Sequence, residues 1–64
     1  MGDIYLIINK DNNEEYIIVK TYREMSDYLN EYYSIKNSHM YYQRILSSEE
    51  RLIIDNIIII HITL

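Results

Sequence analysis

Residues 57–62, Ile-Ile-Ile-Ile-His-Ile, constrain the fold more than any other part of this sequence. Isoleucine is stiff at χ1 and packs best on a pleated strand. A strand with one wet face alternates apolar and polar side chains. This one does not: Ile58, Ile60 and Ile62 fall on one side, Ile57, Ile59 and His61 on the other. The run 4–8 behaves similarly, with Ile4, Leu6 and Ile8 on one side and Tyr5 and Ile7 on the other. Both segments demand cover on both faces. The longest unbroken apolar stretch, 57–60, is far short of the ~20 residues that span a membrane.

A chain of 64 residues allows a single domain, 1–64, because a second would be too short to hold its own core. At 48% hydrophobic it is too apolar for a disordered chain. There is no Cys, which excludes a disulfide framework and a thiolate-bound zinc. The only glycine is Gly2, which excludes a glycine-rich phosphate loop. The start, Met-Gly-Asp-Ile-Tyr, lacks the basic segment of a secretion signal, so a soluble cytoplasmic protein is expected.

The remaining elements follow from pattern. Residues 9–14, Asn-Lys-Asp-Asn-Asn-Glu, form a polar turn in which Asn and Asp replace the missing glycine through Asx-type turns. Residues 16–19 are a second strand, giving a hairpin over about 4–19. Thr21 and Glu24 match a capping box that opens a helix at about 22–31. Tyr22, Met25, Leu29 and Tyr32 make its apolar stripe, while Arg23, Glu24, Asp27 and Glu31 face water. A second helix is expected at about 37–46, with Ile35, Tyr42, Ile45 and Leu46 as its apolar stripe and Tyr42 and Ile45 buried. Ser47–Glu50 reads as a further helical turn or a loop, Asp55-Asn56 as a turn, and 57–62 as the closing strand. The class is α+β in the order ββααβ: a small three-stranded antiparallel sheet with both helices on one face. Two helices cover one face only. The expectation is that Tyr5, Ile7, Ile57 and Ile59 lie on the other face and form a homodimer interface.

Catalysis requires convergent groups in a pocket, and few candidates exist. His39 and His61 lie on different elements, without a partner at metal-ligand spacing. Ser38 and His39 are sequence neighbours, which a helix points ~100° apart. Glu49-Glu50 reads as a solvated turn. No enzyme, no cofactor and no metal are expected.

Binding is a stronger possibility. From Tyr32 to Ser48 there is no acid, and Lys36, His39 and Arg44 interleave with Tyr32, Tyr33, Tyr41 and Tyr42. Basic and aromatic residues together suit a nucleic-acid contact. The net charge of −4 opposes it. A hairpin, the capped segment Thr-Tyr-Arg-Glu-Met-Ser-Asp-Tyr-Leu (21–29), a second helix ending Tyr-Gln-Arg-Ile-Leu (42–46) and a closing strand together resemble, over about residues 4–62, the modular helix-turn-helix domains attached to homing nucleases and common in small phage proteins. That resemblance implies a recognition helix within 34–46, with Lys36, Ser38, His39, Gln43 and Arg44 toward DNA.

In composition the chain also resembles small acidic phage inhibitors, of the anti-CRISPR and anti-restriction kind. This second resemblance implies a nucleic-acid-handling host protein as partner, met in the host cytoplasm by an acidic face of Asp11, Glu14, Glu15, Glu24, Asp27 and Glu31. The leading expectation is such a non-enzymatic inhibitor or regulator. The alternatives are the DNA-binding module and a homodimeric structural module.

Overall fold

The computed structural model describes residues 2–64. Six elements follow one another: β1 (Asp3–Asn9), β2 (Asn12–Val19), α1 (Tyr22–Tyr33), α2 (His39–Leu46), β3 (Arg51–Ile54) and β4 (Ile57–Thr63). The α+β class, the hairpin, the helix pair and the closing strand are as the sequence indicates. The sheet has four strands instead of three, because residues 51–54 add β3. Its order is β2-β1-β4-β3, with every neighbouring pair antiparallel. The isoleucine strand β4 is therefore central, hydrogen-bonded to β1 on one side and β3 on the other.

Local chemistry places the turns. The Asp11 amide donates to Asn9 Oδ1 at 2.9 Å and the Glu14 amide to Asn12 Oδ1 at 3.2 Å, so two Asx turns shape the first hairpin. The second hairpin turns at Asp55-Asn56, with Asp55 in the left-handed region at φ 52°. The Lys10 amide donates to the Asn56 carbonyl at 2.7 Å and ties the two turns together. Thr21 and Glu24 form the capping box: the Glu24 amide donates to Thr21 Oγ1 at 3.1 Å, and the Thr21 amide to Glu24 Oε1 at 3.2 Å.

α1 runs two residues beyond the sequence expectation. It ends where Ser34 turns left-handed at φ 57°, and the Ser34 and Ile35 amides both donate to the Leu29 carbonyl. α2 starts late, at His39, after an irregular link over residues 34–38. Ser26 Oγ donates to the Asn37 carbonyl at 2.7 Å and pins that link against α1.

Both helices lie on one face of the sheet. Beneath them the core contains Tyr5, Ile7, Val19, Ile57 and Ile59 from the strands, with Met25, Leu29, Tyr42 and Leu46 from the helices. This corrects the interface expectation: Tyr5, Ile7, Ile57 and Ile59 are 0–4% exposed inside the domain's own core. Two smaller assignments shift in the same way. Leu46, not Ile45, is the buried residue at the end of α2, and Tyr32 is exposed while Tyr33 packs against the core.

The reason for the inverted face lies in Tyr5 and His61. Their polar atoms suggest the wet side, yet both rings lie under the helices. Tyr5 packs its ring 4.9 Å from that of Tyr22 and 4.8 Å from that of His61. His61 Nδ1 lies 3.0 Å from the Leu46 carbonyl at the end of α2. A carbonyl only accepts, so Nδ1 is the protonated nitrogen. The imidazole thus ties β4 to α2.

Candidate functional site

Side chains of successive strand residues point to opposite faces, so the buried set fixes which residues face away. On β1 these are Ile4, Leu6 and Ile8. On β4 they are Ile58, Ile60 and Ile62. Register extends the surface across the sheet. Tyr16 pairs with Ile8, Ile8 with Ile58, and Ile58 with Ile53. The next row runs Ile18, Leu6, Ile60 and Arg51. A third pairs Ile4 with Ile62. Nine of these ten positions are apolar, counting Tyr16, and Arg51 at one corner is the charged exception.

No helix lies over this face. The edge residues Tyr16, Ile18 and Ile53 are 60%, 53% and 53% exposed. The six residues on β1 and β4 are half-buried, shielded only by one another. Ten positions spaced ~4.8 Å across the strands and ~6.6 Å along them give a flat patch of about 300 Å² in projection. That is in the range of the largest apolar patch on a typical monomer, and such patches are often functional. The demand that the sequence makes for cover on both faces of β1 and β4 is real. The face left uncovered is the even-numbered one.

The expected acidic surface is distributed. Glu24, Asp27 and Glu31 are exposed along α1, on the side of the domain away from the open sheet face. Asp11 sits in the first turn and Glu14 on β2, both exposed. Two of the six acids have structural work. Glu24 closes the capping box, and Glu15 accepts from Asn9 Nδ2 at 3.3 Å and from the Tyr33 hydroxyl at 2.7 Å. Burial, and then the hydrogen bond to Glu15, hold the Tyr33 phenol above its usual range. Burial also raises the Tyr5 and Tyr42 phenols.

The residues expected at DNA come together in part. Ser38, Gln43 and Arg44 line one open hollow with Met40, Tyr41 and Ser47. Lys36 and His39 are outside its lining. Arg44 is the only charged side chain in it. Among the described residues no three His, Cys, Asp or Glu side chains gather as a metal site. His61 Nε2 is buried without a hydrogen bond, 3.4 Å from Asp3 Oδ1. Among the described residues no helix is long and apolar enough to cross a membrane.

What sequence reasoning missed is which face stays open and the strand β3 at its edge. One signal pointed to the strand: Asp55-Asn56 is a two-residue turn flanked by apolar runs, the mark of a hairpin, and that hairpin supplies β3. Compared with known proteins, the chain matches no family model, no curated protein and no solved structure.

Proposed function

We propose that this protein is a non-catalytic protein-binding module whose contact surface is the open face of the sheet. One observation carries the reading. Nine apolar side chains, Ile4, Leu6, Ile8, Tyr16, Ile18, Ile53, Ile58, Ile60 and Ile62, form a continuous surface that no part of the described chain covers. A flat aliphatic face has no groove for a small substrate and no polar groups to orient one. It suits the central part of a protein–protein interface, where charged residues are depleted.

A regulator or inhibitor of a nucleic-acid-handling protein is the narrower form of this reading. The exposed stripe Glu24, Asp27 and Glu31 supports it, because carboxylates so spaced on α1 present negative charge to a groove built for phosphates. Direct DNA binding through α2 has less support, since phosphate affinity grows with each Lys or Arg and the α2 hollow offers one.

The test uses exposed edge positions, which tolerate substitution. Immobilised wild type, Ile18→Asp and Ile53→Asp are compared for the proteins they retain from a cell extract, with heparin retention measured alongside. The reading expects protein, further copies of this chain added to the extract included, that wild type retains and both variants lose, and no heparin binding at low salt. Retention of one identical set by all three would overturn it. Salt-dependent heparin binding lost in Arg44→Ala would favour the DNA module instead.

A further inference from the structure

Resting on the reading of the open face as a protein contact, we infer that its occupant is a second copy of this chain, packed sheet against sheet about a two-fold axis. Three observations favour a second copy over an unrelated partner.

The first is charge. The chain carries ten acids and a net charge of −4, so two copies repel over most of their surface. Of those acids only Glu14, at the β2 edge two residues before Tyr16, takes a strand position of open-face parity. Asp3 points to the helix side with Tyr5, Glu15 is held there by Tyr33, and Glu24, Asp27 and Glu31 lie on α1. The open face is therefore where two such chains can approach with least repulsion.

The second is the chemistry of the face. A surface that must discriminate a foreign partner needs polar groups, because unpaired polar atoms reject the wrong molecule. Here that capacity is confined to the two edges, Arg51 on β3 and Glu14 with the Tyr16 hydroxyl on β2. An aliphatic face with so little polar character resembles half of a domain core, as in obligate homodimers. Branched side chains on two inner sheet faces interdigitate at ~10 Å separation, and a two-fold axis matches one such face to itself.

The third is area. The footprint of about 300 Å² in projection matches the largest apolar patch of a typical monomer, so two copies packed on it make a contact at the small end of the range for specific interfaces. The interface adds a second hydrophobic layer to a 64-residue domain whose own core is thin.

Sedimentation equilibrium between ~1 and ~100 μM tests this. Wild type is expected to sediment at twice the 7.8 kDa chain mass. Ile60→Asp places a carboxylate at the centre of the contact and should weaken the dimer at least ~100-fold, leaving the helical circular dichroism intact. Ile53→Asp, at a site 53% exposed, gives the same readout if Ile60→Asp fails to fold. A dimer that survives both substitutions overturns the inference, because copies then meet by the β2 or β3 edge. A monomeric wild type that binds an apolar-surface dye, with binding lost in Ile53→Asp, overturns the second copy and leaves the protein-contact reading standing. A monomeric wild type that binds no dye overturns both.

Discussion

Ile59 and Ile60 are adjacent on β4 yet should behave as residues of different kinds. Ile59 is 0% exposed beneath the helices, and Ile60 is half-buried on the open face. Replacing Ile59 by Ala removes three carbons from a closed core, worth ~2.4 kcal/mol at ~0.8 kcal/mol per methylene. The cavity left behind adds up to ~2 kcal/mol if the helices do not settle into it. The loss of about 3–4 kcal/mol is a large part of the ~3–10 kcal/mol available to a domain of this size. Ile60→Ala removes the same atoms from a site that water already reaches, with no closed cavity, and costs about 1 kcal/mol in the isolated protomer. Urea denaturation followed by circular dichroism, at ~1 μM and again at ~100 μM protein, separates them. The Ile59→Ala loss should be the same at both concentrations. The Ile60→Ala loss should grow with concentration, because that side chain also supports association. Should Ile59→Ala not fold, Ile59→Val against Ile60→Val gives the same contrast at ~1 kcal/mol for the buried site. Equal losses at low concentration, or a larger loss at Ile60, would refute the assignment of faces.

Other expectations follow from local geometry. Thr21→Ala removes the side-chain acceptor of the Glu24 amide and should cost about 1 kcal/mol, read from the same denaturation curves. Ser34→Gly should stabilise by about 0.5–1 kcal/mol, because Ser34 sits at φ 57° and glycine adopts that conformation without steric cost. Tyr5 and Tyr42 keep their protons in the folded state above the ordinary phenol value of 10.0, mainly through burial. The unfolded chain releases those protons first, so stability is fully present below pH 10 and falls above it, by about 1.4 kcal/mol per pH unit for each buried phenol. An alkaline titration monitored by tyrosinate absorbance and circular dichroism checks this. Free titration of all eight tyrosines near pH 10, with the fold intact, would contradict it.

Much of the fold is legible in the residues because local signals agree with one another. Asn-rich turn chemistry and β-branched runs specify the first hairpin, and the Thr21–Glu24 box with Met25 and Leu29 specifies α1 and its inward stripe. β3 is harder to read. Arg51-Leu52-Ile53-Ile54 is four residues long and follows Ser-Ser-Glu-Glu, which also reads as a helix start.

The choice of buried face is not legible in β1 and β4 at all. Both faces of each strand are apolar, so alternation, the usual marker of inside and outside, is silent. What decides is tertiary. Tyr5 and His61 find ring and carbonyl partners under the helices, and their companions on the same face, Ile7, Ile57 and Ile59, follow them inward. The candidate site was legible as a need for cover, since two helices cannot enclose a sheet that is apolar on both sides. Its location depended on that one tertiary choice.

Isotope-filtered NMR on an equimolar mixture of isoleucine-methyl-labelled and unlabelled chains measures the contact across the open face directly. Intermolecular NOEs are expected from the methyls of Ile4, Ile8, Ile58, Ile60 and Ile62, and none from Ile7, Ile57 or Ile59, which lie in the core. Intermolecular NOEs from Ile57 or Ile59, or none from the even-numbered isoleucines at ~1 mM protein, would contradict the account.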